Sequence, residues 1–108
     1  MAITIHIYYT GENGNARKFA EEMTASGTVD AIRREEGNIG YAYFLPMDDG
    51  ETVLLIDKWE DQKALDIHHG TPMMQKIIEL REKYDLHMKV ERYVSEENPH
   101  TDARFIRE

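Results

Sequence analysis

The sequence predicts an α+β domain of the ferredoxin-like class, with the element order βαββαβ and a four-stranded antiparallel sheet. Four segments have strand patterns, and segments with helical apolar spacing follow the first and the third of them. Right-handed crossovers place both helical segments on one face of the sheet. Residues 1–94 are expected to form this domain, and residues 95–108 a C-terminal tail.

The first strand is predicted over Ile3–Tyr9, where isoleucines alternate with polar and aromatic residues. Turn-forming residues follow, and Asn15 is expected to cap the first helix. Ser26-Gly27 interrupts this helix, so that Thr28–Glu35 is either a second short helix or the end of one kinked helix. The inner face of the first helix shows apolar residues at helical spacing: Ala16, Phe19, Ala20 and Met23.

The second and third strands are predicted at Ile39–Leu45 and Thr52–Trp59, with a hairpin loop at Pro46–Gly50. The third strand is almost continuously apolar, which is typical of a strand covered on both faces. Leu86–Tyr93 is the predicted fourth strand. The charged runs around Arg33–Glu36 are interpreted as solvated helix ends.

Two helices are predicted between the third and fourth strands. Asp61 is expected to cap the first, Gly70 to end it, and Thr71-Pro72 to begin the second. The inner face of the second carries Met73, Ile77, Leu80 and Tyr84.

His68 is predicted to point into the core. At ~100° per residue, Ala64, Leu65 and His68 fall on one side of their short helix, whereas Gln62, Lys63 and Asp66 point away. His69 lies at the edge of the apolar face. An inward imidazole one short helix after the inward Trp59 is the strongest candidate site in the sequence.

Composition excludes several classes of function. The formal net charge is −8, and the 13 Lys and Arg residues are interspersed with 21 acidic residues, which argues against nucleic acid as a partner. There is no cysteine for a disulfide or a thiolate metal site. No apolar run has the ~20 residues of a membrane helix, and no signal-peptide pattern opens the chain. A cytoplasmic protein without membrane association is expected.

The third strand predicts a homodimer. Val53, Leu55 and Trp59 share one face of it and Leu54 and Ile56 the other, although the helices cover one face only. A second copy, related by a twofold axis, is expected to cover the open face. The alternative is that the C-terminal tail folds back over it. The Phe105-Ile106 pair predicts that the tail docks on the body or on the partner subunit.

Two runs resemble the antibiotic biosynthesis monooxygenase (ABM) domain, also known as the quinol monooxygenase family. They are EEGNIGYAYF and LLIDKWEDQKALDIHHGTPMM, and the similarity extends over about residues 3 to 94. The matching pattern is an acid-Gly turn, a Tyr-bearing strand, acid-x-Trp, an Ala-Leu helix, and a His four residues before a Pro. The matching residues are Glu36-Gly37, Tyr41, Asp57, Trp59, Ala64-Leu65, His68 and Pro72.

The resemblance implies a dimeric α+β barrel and a cofactor-independent oxygenase that acts on quinols or polyketide aromatics with molecular oxygen. It also implies that Trp59 and His68 line a cavity between helices and sheet, with Tyr41 and Asp57 nearby. Met73 stands where relatives often have a second His or an aromatic. The haem-degrading branch uses an Asn late in the first strand, where this chain reads HIYY from position 6, so haem is not expected.

The residues supply a matching chemistry. The imidazole of His68 is suited to take a phenolic proton near neutral pH, Trp59 to stack on the aromatic ring, and Asp57 to orient the imidazole. The electron-rich anion can then reduce oxygen directly, so that neither flavin nor metal is needed. The candidate substrate-binding residues are Tyr41, Tyr43, His6 and Met73.

Two alternatives compete with this interpretation. His68 is a satisfied core histidine if it merely bonds a backbone carbonyl, and the protein is then a dimeric barrel that binds an aromatic or signalling ligand without converting it. A metal site is not expected, because His68 and His69 point ~100° apart on a helix and no HExxH-type spacing occurs.

Overall fold

The sheet has the predicted ferredoxin-like topology. The computed structural model describes all residues from 1 to 108, and its strands are β1 (Ile3–Thr10), β2 (Asn38–Phe44), β3 (Thr52–Trp59) and β4 (His87–Val94). They pair antiparallel in the spatial order β2-β3-β1-β4. The prediction of an antiparallel four-stranded α+β fold is confirmed, and the strand ends differ from the predicted ones by at most one residue.

Four α-helices connect the strands: α1 (Asn15–Ala25), α2 (Thr28–Arg33), α3 (Gln62–His69) and α4 (Pro72–Lys83). The first helical segment is therefore two helices. Gly27, with a φ of +81°, separates them and excludes a single kinked helix. No helix has the length and apolar character needed to cross a lipid bilayer.

The predicted helix caps are only partly correct. Asp61 caps α3, since its Oδ1 accepts a hydrogen bond from the Ala64 backbone N–H at 2.9 Å. Thr71 lies at the N-cap of α4, but its hydroxyl donates to the His68 carbonyl oxygen. The prediction for Asn15 is wrong, because Gly14 is the N-cap of α1 and the Asn15 amide donates to the carbonyl oxygen of Tyr84.

The core lies between the helices and one face of the sheet. Burial alternates along β3 as predicted: Val53, Leu55 and Trp59 are buried, whereas Leu54 and Ile56 on the other face are only half-buried. The helices contribute the buried residues expected from their spacing, namely Ala16, Phe19, Ala20, Met23, Val29, Ile32, Ala64, Leu65, Ile77 and Leu80.

The second face of the sheet stays open in the single chain. Phe44 and Tyr93 on this face are 49% and 45% exposed. Residues 95–108 are exposed throughout and contain a short 3₁₀ helix, His100–Phe105, in which Phe105 is 75% exposed. Docking of this tail on the partner subunit stays a prediction.

Gly37 lies in the turn before β2 and packs against the start of α3. Its φ is +88°, and a Cβ built on it would lie 2.5 Å from the Ala64 Cβ, closer than any real contact of this kind. Its carbonyl oxygen accepts a hydrogen bond from the Glu60 backbone N–H at 2.8 Å. Only glycine satisfies both the backbone angle and the close approach here.

We therefore expect Gly37→Ala to lower the free energy of unfolding by about 2–4 kcal/mol, since left-handed strain adds to a steric clash. Gly27→Ala is the matched control. Gly27 has a similar φ of +81°, and a Cβ built on it would have no atom within 4 Å, so backbone strain alone should cost about 1–2 kcal/mol. Urea unfolding measures both, and equal losses would contradict the packing role of Gly37.

Candidate functional site

A cavity of about 300 Å³ lies between the helix-facing side of the sheet and helices α3 and α4. Its lining is mostly apolar and includes Ile5, Ile7, Leu55, Leu65, Met74 and Ile77. On β4, the lining residues Met88 and Val90 are 38% and 54% exposed, so the cavity opens to solvent along this edge. The volume is at the lower end of small-molecule sites, which corresponds to a compact ligand.

His68 is turned inward, as the helical spacing predicts, and lines this cavity. Its side chain is 4% exposed, and its Nδ1 lies 2.7 Å from the Oε2 of Glu35, which is itself 10% exposed. In this contact the ring N–H donates and the carboxylate oxygen accepts. Nε2 makes no hydrogen bond within the chain. The imidazole therefore has one nitrogen that is available to a ligand.

Trp59 packs behind the imidazole rather than in the cavity wall. It is 0% exposed, and its ring stacks on that of His68 with centroids 4.6 Å apart and an angle of 30° between the planes. Its indole N–H donates to the Oδ2 of Asp57 at 2.7 Å. In this arrangement Trp59 holds His68 in place and is not available to stack on a ligand, in contrast to the sequence-based expectation.

Asp57 belongs to the cavity lining, is 4% exposed, and has one carboxyl oxygen without a hydrogen-bond partner. Its Oδ2 is taken by Trp59, whereas its Oδ1 is buried and has no hydrogen-bond partner. Burial raises the pKa of Asp57, and the hydrogen bond from Trp59 and the nearby His68 act in the opposite direction. Asp57 does not orient His68 as predicted, because Glu35 occupies Nδ1.

Two tyrosines on β2 adjoin the site. Tyr41 lines the cavity, and its hydroxyl lies 3.4 Å from that of Tyr43, which lies outside the lining. Burial raises the pKa of both hydroxyls well above the ordinary value. Both hydroxyls therefore stay protonated at neutral pH and are able to donate hydrogen bonds. Tyr9, which sequence reasoning missed, also lines the cavity, and burial raises its pKa too.

Two predicted substrate-binding residues lie elsewhere. His6 is on the opposite face of the sheet, paired with Ile56 in the register and 4.7 Å from the Tyr93 ring, because successive side chains of a strand alternate between faces. Met73 packs against the core, and its neighbour Met74 lines the cavity instead.

Glu35 is the second residue of the site, after Tyr9, that sequence reasoning missed. The interpretation of its charged run as a solvated helix end is wrong for this position, because α2 ends at Arg33 and the turn brings the Glu35 carboxylate onto His68. The sequence contained one signal for this, Gly37, which predicts a turn directly after the charged run. The sequence does not show where that turn lies. In the structure Gly37 packs against α3 and so brings Glu35 within reach of His68.

The structure contains no group of three or more His, Cys, Asp or Glu side chains placed to hold a metal ion. His68 and His69 have ring centroids 5.8 Å apart, and His69 is exposed. The ionisable groups of the site are therefore the hydrogen-bonded pair Glu35 and His68 and a separate carboxyl, Asp57.

Comparison with known proteins gives one family and one fold. The sequence profile of the family described as antibiotic biosynthesis monooxygenase matches residues 2–80. The chain is 28% identical to the protein named "Putative monooxygenase YcnE" of Bacillus subtilis over 76 residues. This aligned region covers 70% of this chain and 78% of that protein.

Solved structures share the fold at low sequence identity. PA3566 from Pseudomonas aeruginosa matches with a TM-score of 0.76 and 23% identity, over 89% of this chain and 95% of that one. SnoaB, a cofactor-independent oxygenase from Streptomyces nogalater, matches with a TM-score of 0.74 and 14% identity, over 90% and 95%.

We expect Asp57→Asn to alter the pH dependence of stability. The folded state holds the Asp57 proton more tightly than the unfolded chain, so the wild type loses stability as pH rises from the ordinary aspartate pKa through the raised folded pKa. Asparagine keeps the acceptor for Trp59 and has no such proton. The variant should gain stability relative to the wild type over this window, as measured by urea unfolding between pH 3 and pH 8. A difference that does not change with pH would contradict the assignment.

Proposed function

This chain belongs to the antibiotic biosynthesis monooxygenase family, and from that membership we propose that it is a cofactor-independent monooxygenase of a quinol or another hydroxy-aromatic small molecule. The observation that carries the proposal is the state of His68. One ring nitrogen is held by Glu35 and the other is free at an apolar cavity. This supports a general base for a phenolic proton.

The proton step uses three side chains. His68 Nε2 accepts the proton of a substrate hydroxyl, and the Glu35 carboxylate stabilises the imidazolium that forms. The unpartnered Oδ1 of Asp57 accepts a hydrogen bond from a second hydroxyl of the substrate. A ligand that satisfies this oxygen removes the cost of leaving it buried without a partner.

Tyr41 complements this pair as a donor. Its hydroxyl stays protonated at neutral pH because burial raises its pKa, and it lies in the cavity lining within reach of Tyr43. A phenolate or a developing carbonyl oxygen of the substrate is stabilised by such a donor in a largely apolar site.

The oxidation balances without an added reductant, because the substrate supplies the electrons. The quinolate passes one electron to molecular oxygen, and the resulting radical and superoxide combine at a ring carbon to give a hydroperoxide. Loss of water then leaves one oxygen atom on the product: C₆H₄(OH)₂ + O₂ gives C₆H₄O₃ + H₂O for the simplest quinol. The chain has only to deprotonate the substrate, orient it and keep bulk water from the intermediate.

The open face of the sheet supports a homodimer. Phe44 and Tyr93 are about half exposed there, and Leu54, Ile56 and Tyr8 are half-buried with no helix over them. A second sheet packed on this face, with a twofold axis between the two copies, buries these side chains at roughly 1.5–3 kcal/mol for each large one. Docking of the Phe105-Ile106 pair on the partner is proposed with it.

We expect His68→Ala to lower kcat for a quinol by about 10²–10⁴-fold, because it removes the general base. Oxygen uptake on a panel of quinols and hydroxy-aromatics, with product analysis, measures this. Trp59→Phe should lower kcat less, since a phenyl ring still supports the imidazole but cannot donate to Asp57. His100→Gln, in the exposed 3₁₀ helix, is the control and should match the wild type.

Glu35→Ala tests the pairing within the same assay. Because Glu35 acts through His68, we expect kcat to fall while KM stays within about twofold. Turnover that survives His68→Ala would remove His68 as the general base. Absence of turnover by the wild type on every substrate, while those compounds still bind, would instead identify a binding protein that does not convert its ligand.

We expect the chain to elute as a dimer of twice 12.6 kDa in size-exclusion chromatography with light scattering. Ile56→Asp places a charge on the open face of both copies and should raise the dissociation constant at least 100-fold. Ile67→Asp is the matched control, because Ile67 is 58% exposed on α3, away from the sheet. A wild-type monomer at micromolar concentration would refute the dimer.

A further inference from the structure

We propose that Glu35 connects the imidazole of His68 to the solvent on the outer side of α3, so that a proton passes between the cavity and the solvent through these two side chains. The connection follows from the contacts of the two residues. It rests on the proposed function only for the source of the proton, which is a hydroxyl of the substrate.

Helix α3 separates the cavity from a second pocket at the protein surface, named here the outer pocket. Leu65 and His68 line the cavity, whereas Ala64 and Ile67 line the outer pocket. The two linings have no residue in common. Glu35 belongs to the outer pocket and not to the cavity, and the polar residues around it there are Glu36, Glu60, Asp61, Lys63 and Thr71.

One hydrogen bond between side chains joins the two linings. It runs from Nδ1 of His68 to Oε2 of Glu35 at 2.7 Å. Asp57, the only carboxyl group in the cavity lining, bonds the indole of Trp59 instead. Because the imidazole is 4% exposed and Trp59 stacks on one of its faces, Glu35 is the nearest acceptor for the Nδ1 proton.

The free end of each partner is accessible to water. His68 Nε2 and Glu35 Oε1 make no hydrogen bond within the chain, yet Asp57 Oδ1 is the one side-chain polar atom that is both buried and without a partner. Nε2 and Oε1 are therefore both in contact with open space, Nε2 at the cavity and Oε1 at the outer pocket. The pair thus extends across α3 from one space to the other.

The charges of the outer pocket favour proton exchange at Glu35. Glu36, Glu60 and Asp61 are exposed carboxylates, and Lys63 is the one cation among them. A recess with an excess of negative charge raises the local concentration of cations, protons included. The outer pocket therefore supplies and removes protons at the carboxylate that holds His68.

The proton transfers balance over the proposed reaction. Nε2 takes the proton of a substrate hydroxyl, the imidazolium gives its Nδ1 proton to Glu35, and Glu35 releases a proton to the solvent. When the hydroperoxide loses water, Nε2 returns its proton to the leaving oxygen, and Nδ1 regains one from the solvent through Glu35. No net proton is consumed or released. A ligand that fills the cavity therefore does not isolate the imidazole from the solvent.

The test follows the two ring protons of His68 separately by NMR. The full chain is prepared with isotope-labelled histidine, and exchange with water is measured in an acidic buffer in which both ring nitrogens carry a proton. The Nδ1 proton should exchange through Glu35, and the Nε2 proton through the cavity. The measured quantity is the ratio of the Nδ1 exchange rate to the Nε2 exchange rate.

Two variants should move this ratio in opposite directions. Glu35→Gln keeps an acceptor for Nδ1 but cannot carry a proton, so it should lower the ratio about 10-fold or more. Ile7→Phe fills the cavity instead and should raise the ratio, because it slows exchange at Nε2. Glu21→Gln, exposed on α1 and paired with Arg17, is the control and should keep the wild-type ratio.

A further variant covers the case in which glutamine displaces the imidazole. The His68 ring lies against the Trp59 indole, so the chemical shifts of its carbon-bound protons report such a movement. Glu35→Ala leaves a space at the outer pocket. Formate, a small carboxylate that fits this space, should accelerate exchange of the Nδ1 proton in Glu35→Ala about 10-fold or more. The same concentration of chloride should not, since chloride does not accept a proton in water.

The inference is overturned if Glu35→Gln leaves the ratio unchanged with the imidazole in place, or if the imidazole has moved and formate has no effect on Glu35→Ala. It is also overturned if Ile7→Phe slows both ring protons equally. Exchange through Glu35 in a chain that oxidises no quinol would keep the proton route and remove the proposed reaction. Turnover with a ratio that Glu35→Gln does not change would keep the reaction and remove the route.

Discussion

The hydrogen bond between Glu35 and His68 is the interaction on which the site depends. It joins two segments that are 33 residues apart in the sequence, at 2.7 Å and almost out of contact with water. Loss of either partner would leave the other buried without its hydrogen bond, which is costly in such surroundings. The same bond occupies Nδ1 and leaves Nε2 available to a ligand. Fold and chemistry are therefore coupled at this one contact.

Neighbouring residues fix the positions of Glu35 and His68. Gly37 allows the turn after Glu35 to lie against Ala64, and Trp59 supports the imidazole from the core side while it occupies one oxygen of Asp57. The result is a rigid polar group at the inner end of an apolar cavity. Preorganised polar groups in a site of low polarity act more strongly on a substrate than the same groups in water.

The fold was predictable because its signals are local. Period-two and period-3.6 spacing follow from backbone geometry alone, so they located the β3 faces, the inward side of His68 and the Asp61 cap correctly. The site was predictable in part. Two predicted residues lie outside the cavity lining: strand alternation puts His6 on the other face of the sheet, and the rotation of α4 brings Met74 rather than Met73 into the lining.

The sequence by itself determined the order of the elements, the buried side of each one and the family, since each depends on short-range spacing or on a linear pattern. Only the tertiary structure decided which carboxylate meets His68 and that Trp59 supports the imidazole from outside the cavity. These are contacts between distant segments. Such contacts depend on how the helices pack on the sheet, which no local period encodes.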